Sequence, residues 1–180
     1  MFQIDVVEKC KANDRKAQLK LYGQYCDGMY IVAMRFLQHS DDAEDVLQDA
    51  FISAFQKIHQ FSGEVTFGAW LKRIVVNKCI DFLKSKKQGL LPLEDYHMQA
   101  VDDTNWSVGA EINITEVKKA IQNLPIKYRY VVLMYLVEGF DHKEIAQVLE
   151  LTETTSRTRL LRGKGYLKLA LIKKGYGTGS

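Results

Sequence analysis

The chain has 180 residues, 47% of them apolar and 26% charged, with 2 prolines and 3 cysteines. That ordinary globular composition excludes collagen-like, disordered and disulfide-scaffold classes, and the length suits one compact domain or two small ones. The 25 Lys and Arg exceed the 22 Asp and Glu by only three charges, too few on their own to argue for a nucleic-acid partner.

Cys10, Cys26 and Cys79 form no CxxC pair and are odd in number, so neither a disulfide framework nor a zinc site is expected, and a reducing compartment fits best. His39, His59, His97 and His142 stand far apart with no partner at ligand spacing, so no metal or other cofactor is expected. The longest apolar run, Tyr130 to Val137, falls short of the ~20 residues of a membrane span. The first residues, Met1-Phe2-Gln3-Ile4-Asp5, lack the apolar stretch of a leader. A soluble protein of the cytoplasm is expected, and the terminal Gly175-Tyr176-Gly177-Thr178-Gly179-Ser180 is assigned no function.

Helical spacing recurs along the chain while clean alternation is absent, so the fold class expected is all-α. A first helix carries Leu19, Tyr22, Tyr25, Cys26, Met29, Val32, Ala33 and Phe36 at steps of three and four. A second is expected to start at a capping box of Asp41 and Glu44, with Ala43, Val46, Leu47, Ala50, Phe51, Ala54, Phe55 and Ile58 on its buried face. After a break at Ser62-Gly63-Glu64, Thr66 is placed to cap a third helix through Phe67, Trp70, Leu71, Ile74, Val75, Ile80 and Leu83. From Lys86 to Ile112 the periodicity dissolves into a connecting segment longer than compact domains usually hold. It returns at Ile114, Val117, Ile121 and Leu124, and Pro125 opens a segment through Val131, Val132, Met134, Tyr135 and Leu136.

Charge divides along the same boundaries. Residues 1–85 carry 11 basic and 11 acidic side chains, residues 86–112 carry 2 against 5, and residues 113–180 carry 12 against 6. Two small helical domains, 1–85 and 113–180, are therefore expected on either side of an acidic flexible linker at 86–112.

The last block reads as a helix-turn-helix. Gly139 can adopt a left-handed C-cap, Asp141 and Glu144 form a second capping box, and Ile145, Ala146 and Leu149 are its buried stripe. Thr152 caps a further helix, which between Thr155 and Lys174 has seven basic residues and no acid. Such a helix fits the major groove, where arginine donates two bonds to guanine and lysines meet phosphates. The alternative is a solvated cationic face on a structural helix. Glu150 stands in the turn where glycine is usual, and Ser156 where an apolar residue normally packs the two helices. Both point to a less stable module.

Two features of the first block are left over. Asp41, Asp42, Glu44, Asp45 and Asp49 put five carboxylates in nine residues, opposite the apolar face. They are a docking face for a basic partner, a solvated helix start favoured by the dipole, or an acid/base or metal site. The last lacks the confinement that catalytic carboxylates need. The third helix sets Trp70 among Lys72, Arg73, Asn77, Lys78 and Lys84, as suits single-stranded nucleic acid, although Phe67 and Trp70 equally suit a core.

This order of parts resembles the extracytoplasmic-function sigma factors of bacterial RNA polymerase. The carrying residues are Asp42-Ala43-Glu44-Asp45-Val46-Leu47-Gln48-Asp49-Ala50-Phe51, Phe61-Ser62-Gly63-Glu64 and Trp70-Leu71-Lys72-Arg73-Ile74. Leu124-Pro125, Glu138-Gly139, Glu144-Ile145-Ala146 and Arg157-Thr158-Arg159-Leu160 follow in order. The resemblance implies that 1–85 is region two and 113–180 region four of a subunit that binds core RNA polymerase and promoter DNA and leaves nucleotide addition to the polymerase. Asp45, Gln48 and Asp49 match the polymerase-docking face. Ser62, Gly63 and Glu64 match the loop that captures a flipped −10 base, and Trp70, Lys72, Arg73, Asn77 and Lys78 the helix that holds the melted strand. Thr155, Arg157, Thr158, Arg159, Leu161 and Arg162 match the −35 reader. An anti-sigma factor is implied as a further partner, and Gly68 and Val76 depart from the family's commonest pattern. The competing reading is a helix-turn-helix regulator whose N-terminal block is a dimerisation or sensor domain.

Overall fold

The computed structural model describes residues 2–86 and 113–176. Every regular element in them is helical, as the periodicity requires. The chain divides into two compact units, Met1–Leu90 and Leu91–Ser180. The expected linker lies outside the described residues apart from Lys86, which ends a helix.

The first unit holds α1 (Phe2–Lys11), α2 (Arg15–Leu37), α3 (Ser40–Gln56), a 3-10 turn (Ile58–Gln60) and α4 (Phe67–Lys86). Helices α2, α3 and α4 pack on one another, and α1 lies on α2 and the 3-10 turn. Asp14 separates α1 from α2 as an N-cap, accepting from the amides of Lys16 (2.8 Å) and Ala17 (3.2 Å). Such a cap stabilises by about 1 kcal/mol. Leu21, Phe36, Leu71, Val75, Val76 and Cys79 form the centre of the core. Val76 thus belongs to packing rather than to an outward surface, and Gly68 lets the Tyr25 ring come within 2.9 Å of where a β-carbon would stand.

Two expectations need correction in this unit. Leu19 is 70% exposed, because it sits roughly 120° around α2 from the stripe of Leu21, Val32 and Phe36. The capping box expected at Asp41 does not form. Helix α3 starts two residues earlier, with His39 as an N-cap that makes no side-chain cap bond, and Asp41 falls inside the first turn. Helix α1 was not anticipated at all. Thr66 does cap α4, accepting from the Ala69 amide at 3.2 Å.

The second unit holds α5 (Ile114–Gln122), α6 (Ile126–Val132), a π turn (Leu133–Val137), α7 (His142–Leu149) and α8 (Glu153–Lys173). Helix α8 is its spine, packed against α5, α6 and α7. The Arg129 guanidinium clamps the Leu124 carbonyl at the α5–α6 corner, with Nη2 at 2.9 Å. Gly163 brings α8 against α6 so closely that a β-carbon there would stand 2.5 Å from Val132 Cγ2. Tyr128 stacks on Tyr166 at 5.2 Å.

The apolar periodicity overstates the core here as well. Ile114 is 71% exposed in the first turn of α5, and Tyr135 and Leu136 are exposed. The latter two lie within the π turn, where the Glu138 amide reaches back five residues to the Leu133 carbonyl at 3.0 Å.

Candidate nucleic-acid and polymerase interfaces

In the second unit, α7, the turn and α8 are built by local bonds. The Asp141 carboxylate accepts from the Glu144 amide at 2.8 Å, and the Glu144 carboxylate accepts from the Asp141 amide at 2.9 Å. Glu150 adopts a left-handed φ of 55°, a conformation glycine takes more easily. The chain then turns, with the Leu151 amide donating to the Ala146 carbonyl at 2.9 Å. Thr152 caps α8 through the Thr155 amide at 3.1 Å, and the two threonine hydroxyls lie 2.8 Å apart.

Ser156 is fully buried, yet it is not a packing defect. Its hydroxyl lies 2.9 Å from His142 Nδ1, and the His142 ring stacks on Tyr135 at 4.7 Å. A polar bond joins the two helices where an apolar contact was expected. It satisfies a group whose burial without a partner would cost several kcal/mol.

The expected DNA-reading residues divide by their position around α8. Thr158, Leu161 and Arg162 lie on the outward side with Thr154, and Leu161 is 57% exposed. Arg157 and Arg159 flank the helix on opposite sides, and Thr155 is half-buried with its hydroxyl engaged by Thr152. Arg157 also holds Glu153 at 3.0 Å, so an acid in the first turn moderates the cationic face.

In the first unit, Asp45, Gln48 and Asp49 are all exposed, one or two turns along α3, while Ala43, Val46, Leu47 and Ala50 are buried beneath them. Asp42 behaves differently. It pairs with Lys86 at the end of α4 at 2.8 Å. Among the described residues Asp45 and Asp49 make no ion pair, and with the exposed Asp41 and Glu44 they give α3 its outward charge.

The loop between the 3-10 turn and α4 projects Ser62, Gly63 and Glu64, all exposed. Gly63 takes φ +82°, and the Glu64 amide donates to Ser62 Oγ at 3.4 Å. Beneath it lies an aromatic cluster. Phe61 meets Phe67 at 5.6 Å and Trp70 at 5.5 Å, and Phe67 meets Tyr25 at 5.4 Å. Phe67 is core, whereas Trp70 is half-buried and keeps one side open. Along α4, Trp70, Arg73 and Asn77 share the outward stripe with Lys84, and Lys78 is half-buried at its edge. Lys72 lies roughly 160° round the helix from Trp70, off that stripe. The structure thus gathers Trp70, Arg73 and Asn77 and separates Lys72 from them.

Cys10 and Cys79 are packed in the core, and Cys26 is half-buried. Burial, aided by the Asp14 charge, pushes Cys10 up to about 11, and Cys79 is fully buried. Among the described residues no three His, Cys, Asp or Glu side chains gather as a metal site, and no helix is long and apolar enough to cross a membrane.

A two-domain all-α protein with a helix-turn-helix in its second domain is the class these units define. Residues 21–88 match the family model "Sigma-70 region 2" and residues 114–167 match "Sigma-70, region 4". The ECF RNA polymerase sigma factor SigM of Mycobacterium tuberculosis is 32% identical over 157 residues, covering 87% of this chain and 78% of that one. SigW of Bacillus subtilis is 29% identical over 177 residues, covering 92% and 94%. The chain belongs to the ECF sigma factors of RNA polymerase. Among solved structures, CnrH in complex with the cytosolic domain of CnrY shares the fold, with TM-score 0.56 and 20% identity over 95% of this chain and 97% of that one. The sigma factor RpoE of Bartonella quintana, solved with the anti-sigma factor NepR, gives TM-score 0.56 and 18% identity over 85% and 95%.

Proposed function

We propose that this protein is a promoter-specificity subunit that binds core RNA polymerase and directs initiation at promoters with −35 and −10 elements. The observation that carries the reading is the pairing, in one chain, of a region 4 helix-turn-helix with a region 2 unit whose acidic helix and aromatic-basic helix present separate outward faces. In it, Asp45, Gln48 and Asp49 dock on polymerase. Ser62, Gly63 and Glu64 capture a base flipped from the −10 element, where its edge becomes readable. Trp70, Arg73 and Asn77 hold the melted strand by stacking and charge, with Lys72 and Lys78 at its margins. Thr158, Leu161 and Arg162 read the −35 major groove, while Thr155, Arg157 and Arg159 orient α8 on the backbone.

The same reading places the domain limits at 1–85 and 113–180, with 86–112 as the tether. It makes the protein a binding subunit of the cytoplasm rather than an enzyme. An anti-sigma factor is a natural partner, since the fold neighbours CnrH and RpoE were each solved with a bound partner. A plain helix-turn-helix regulator is not favoured, because residues 21–88 match region 2 rather than a sensor or dimerisation module.

In vitro transcription with core polymerase tests this directly. Added protein is expected to yield initiation at discrete sites on a genomic template pool. Initiation no different from core enzyme alone would overturn the reading.

A further inference from the structure

A groove of about 820 Å³ lies between the 61–67 loop and α1. One wall is the loop already assigned to base capture. The other is formed by Val7, Glu8 and Lys11 of α1, a helix that precedes residue 21, where the region 2 match begins. Helix α1 is firmly held there. Val7 and Cys10 are buried, and α1 packs on both α2 and the 3-10 turn that leads into the loop. Above Val7, Lys11 Nζ and Glu8 Oε1 stand 2.9 Å apart, with side chains 24% and 60% exposed.

A single-stranded nucleotide presents an anionic phosphate, two flat apolar faces and a polar edge. The groove offers a counterpart to each. Lys11 is a cation, the exposed Val65 and the half-buried Phe61 ring are apolar surfaces, and the Glu8 and Glu64 carboxylates are acceptors. Its volume falls within the ~300–1,000 Å³ of small-ligand sites. A carboxylate accepts from the exocyclic amine of cytosine or adenine. Thymine offers it one imino hydrogen between two carbonyl oxygens, which the carboxylate repels.

We propose that α1 is the second wall of the nucleotide-capture groove, with Lys11 neutralising the phosphate of the captured nucleotide and Glu8 selecting a base that carries an exocyclic amine. The inference rests on the base-capturing role of the loop given above. Lys11 stays between the two anions, so Glu8 keeps its partner while its second oxygen faces the base.

The test uses holoenzyme assembled from the full chain and core polymerase. Single-stranded oligonucleotides that the wild-type holoenzyme selects from a random pool are resynthesised with each position changed to every base. Lys11→Ala is expected to weaken all of them about 3–10-fold at low salt and to flatten the salt dependence. Glu8→Gln is expected to leave the mean affinity within about 2-fold and to erase, at one position, the preference for an amine-bearing base over thymine. Glu8 is exposed and Lys11 half-buried, and unchanged thermal midpoints will show that the variants fold. If either variant matches wild type at every position, the α1 wall is overturned while the loop reading stands. If the wild-type holoenzyme shows no base preference at any position, the loop reading fails and the wall fails with it.

Discussion

His142 Nδ1 and Ser156 Oγ lie 2.9 Å apart across the helix-turn-helix, joining the first residue of α7 to the buried side of α8. The position that sequence reasoning marked as a flaw in the packing is a specific polar fastening. Ser156→Ala removes one partner and leaves the other to find water in a half-buried site. A loss of about 1 kcal/mol is expected for the second unit. A double-mutant cycle with His142→Ala checks it, since simple additivity of the two changes would show that the bond contributes nothing.

Gly163 has no room for a side chain. Gly163→Ala gains up to about 1 kcal/mol of helix propensity but sets a methyl 2.5 Å from Val132 Cγ2, where overpacking costs about 1–3 kcal/mol. Net destabilisation is expected in urea unfolding, with recovery in the Gly163→Ala, Val132→Ala pair. A single variant as stable as wild type would mean α6 and α8 separate easily.

Bonds from Lys174 at 2.6 Å and Lys119 at 3.3 Å hold the Glu116 carboxyl below its ordinary value. A depressed carboxylate stabilises the folded state above its unfolded pKa, and that contribution fades as pH falls through the lowered folded value. Thermal midpoints of wild type and Glu116→Gln are therefore expected to differ most near neutrality and to converge in acid. A gap that stays constant from neutral to acid pH would show that the ion pairs add no stability.

Reversing charge at Asp45 and Asp49 together, both to lysine, is expected to weaken binding to core polymerase by more than ~10-fold, since like charges facing each other at an interface cost over a kcal/mol. Affinity for duplex −35 DNA should not change. Equal loss in both assays would assign the acids to the stability of α3 instead.

Arg162→Ala is expected to lose about 1–3 kcal/mol at one −35 base pair while sparing others. Arg157→Ala, whose side chain already holds Glu153, is expected to lose affinity evenly across sequences and to lower the salt slope. Binding to a panel of single-substitution duplexes separates the two patterns.

Much of the fold was legible because it is written in local chemistry. Asp141 with Glu144, Thr152 and Thr66 announce their caps through side chains that act within four residues, and Gly139 its turn through a left-handed φ of +77°. Helix α1 was overlooked although Val6, Val7 and Cys10 carry helical spacing, because a short element with so few apolar positions gives a weak periodic signal. The π turn was hidden for the opposite reason. From Tyr130 to Val137 every residue is apolar, so the run has no period from which to tell buried Met134 from exposed Leu136. For the candidate site, residue types singled out α3, α4 and α8, but which side of α4 or α8 a cation occupies depends on the helix's packing. Lys72 shared the stretch of Trp70 and Arg73 without sharing their face. The groove wall on α1 was invisible for the same reason, being assembled from segments some fifty positions apart.

The Asp42–Lys86 pair ties the first turn of α3 to the last residue of α4, which is also the last described residue of the first unit. Mechanical tension carried along the chain from the second unit reaches Lys86 before any other described residue of the first. The ion pair, together with the packing of α4 on α3, passes it to the beginning of the helix that bears Asp45 and Asp49.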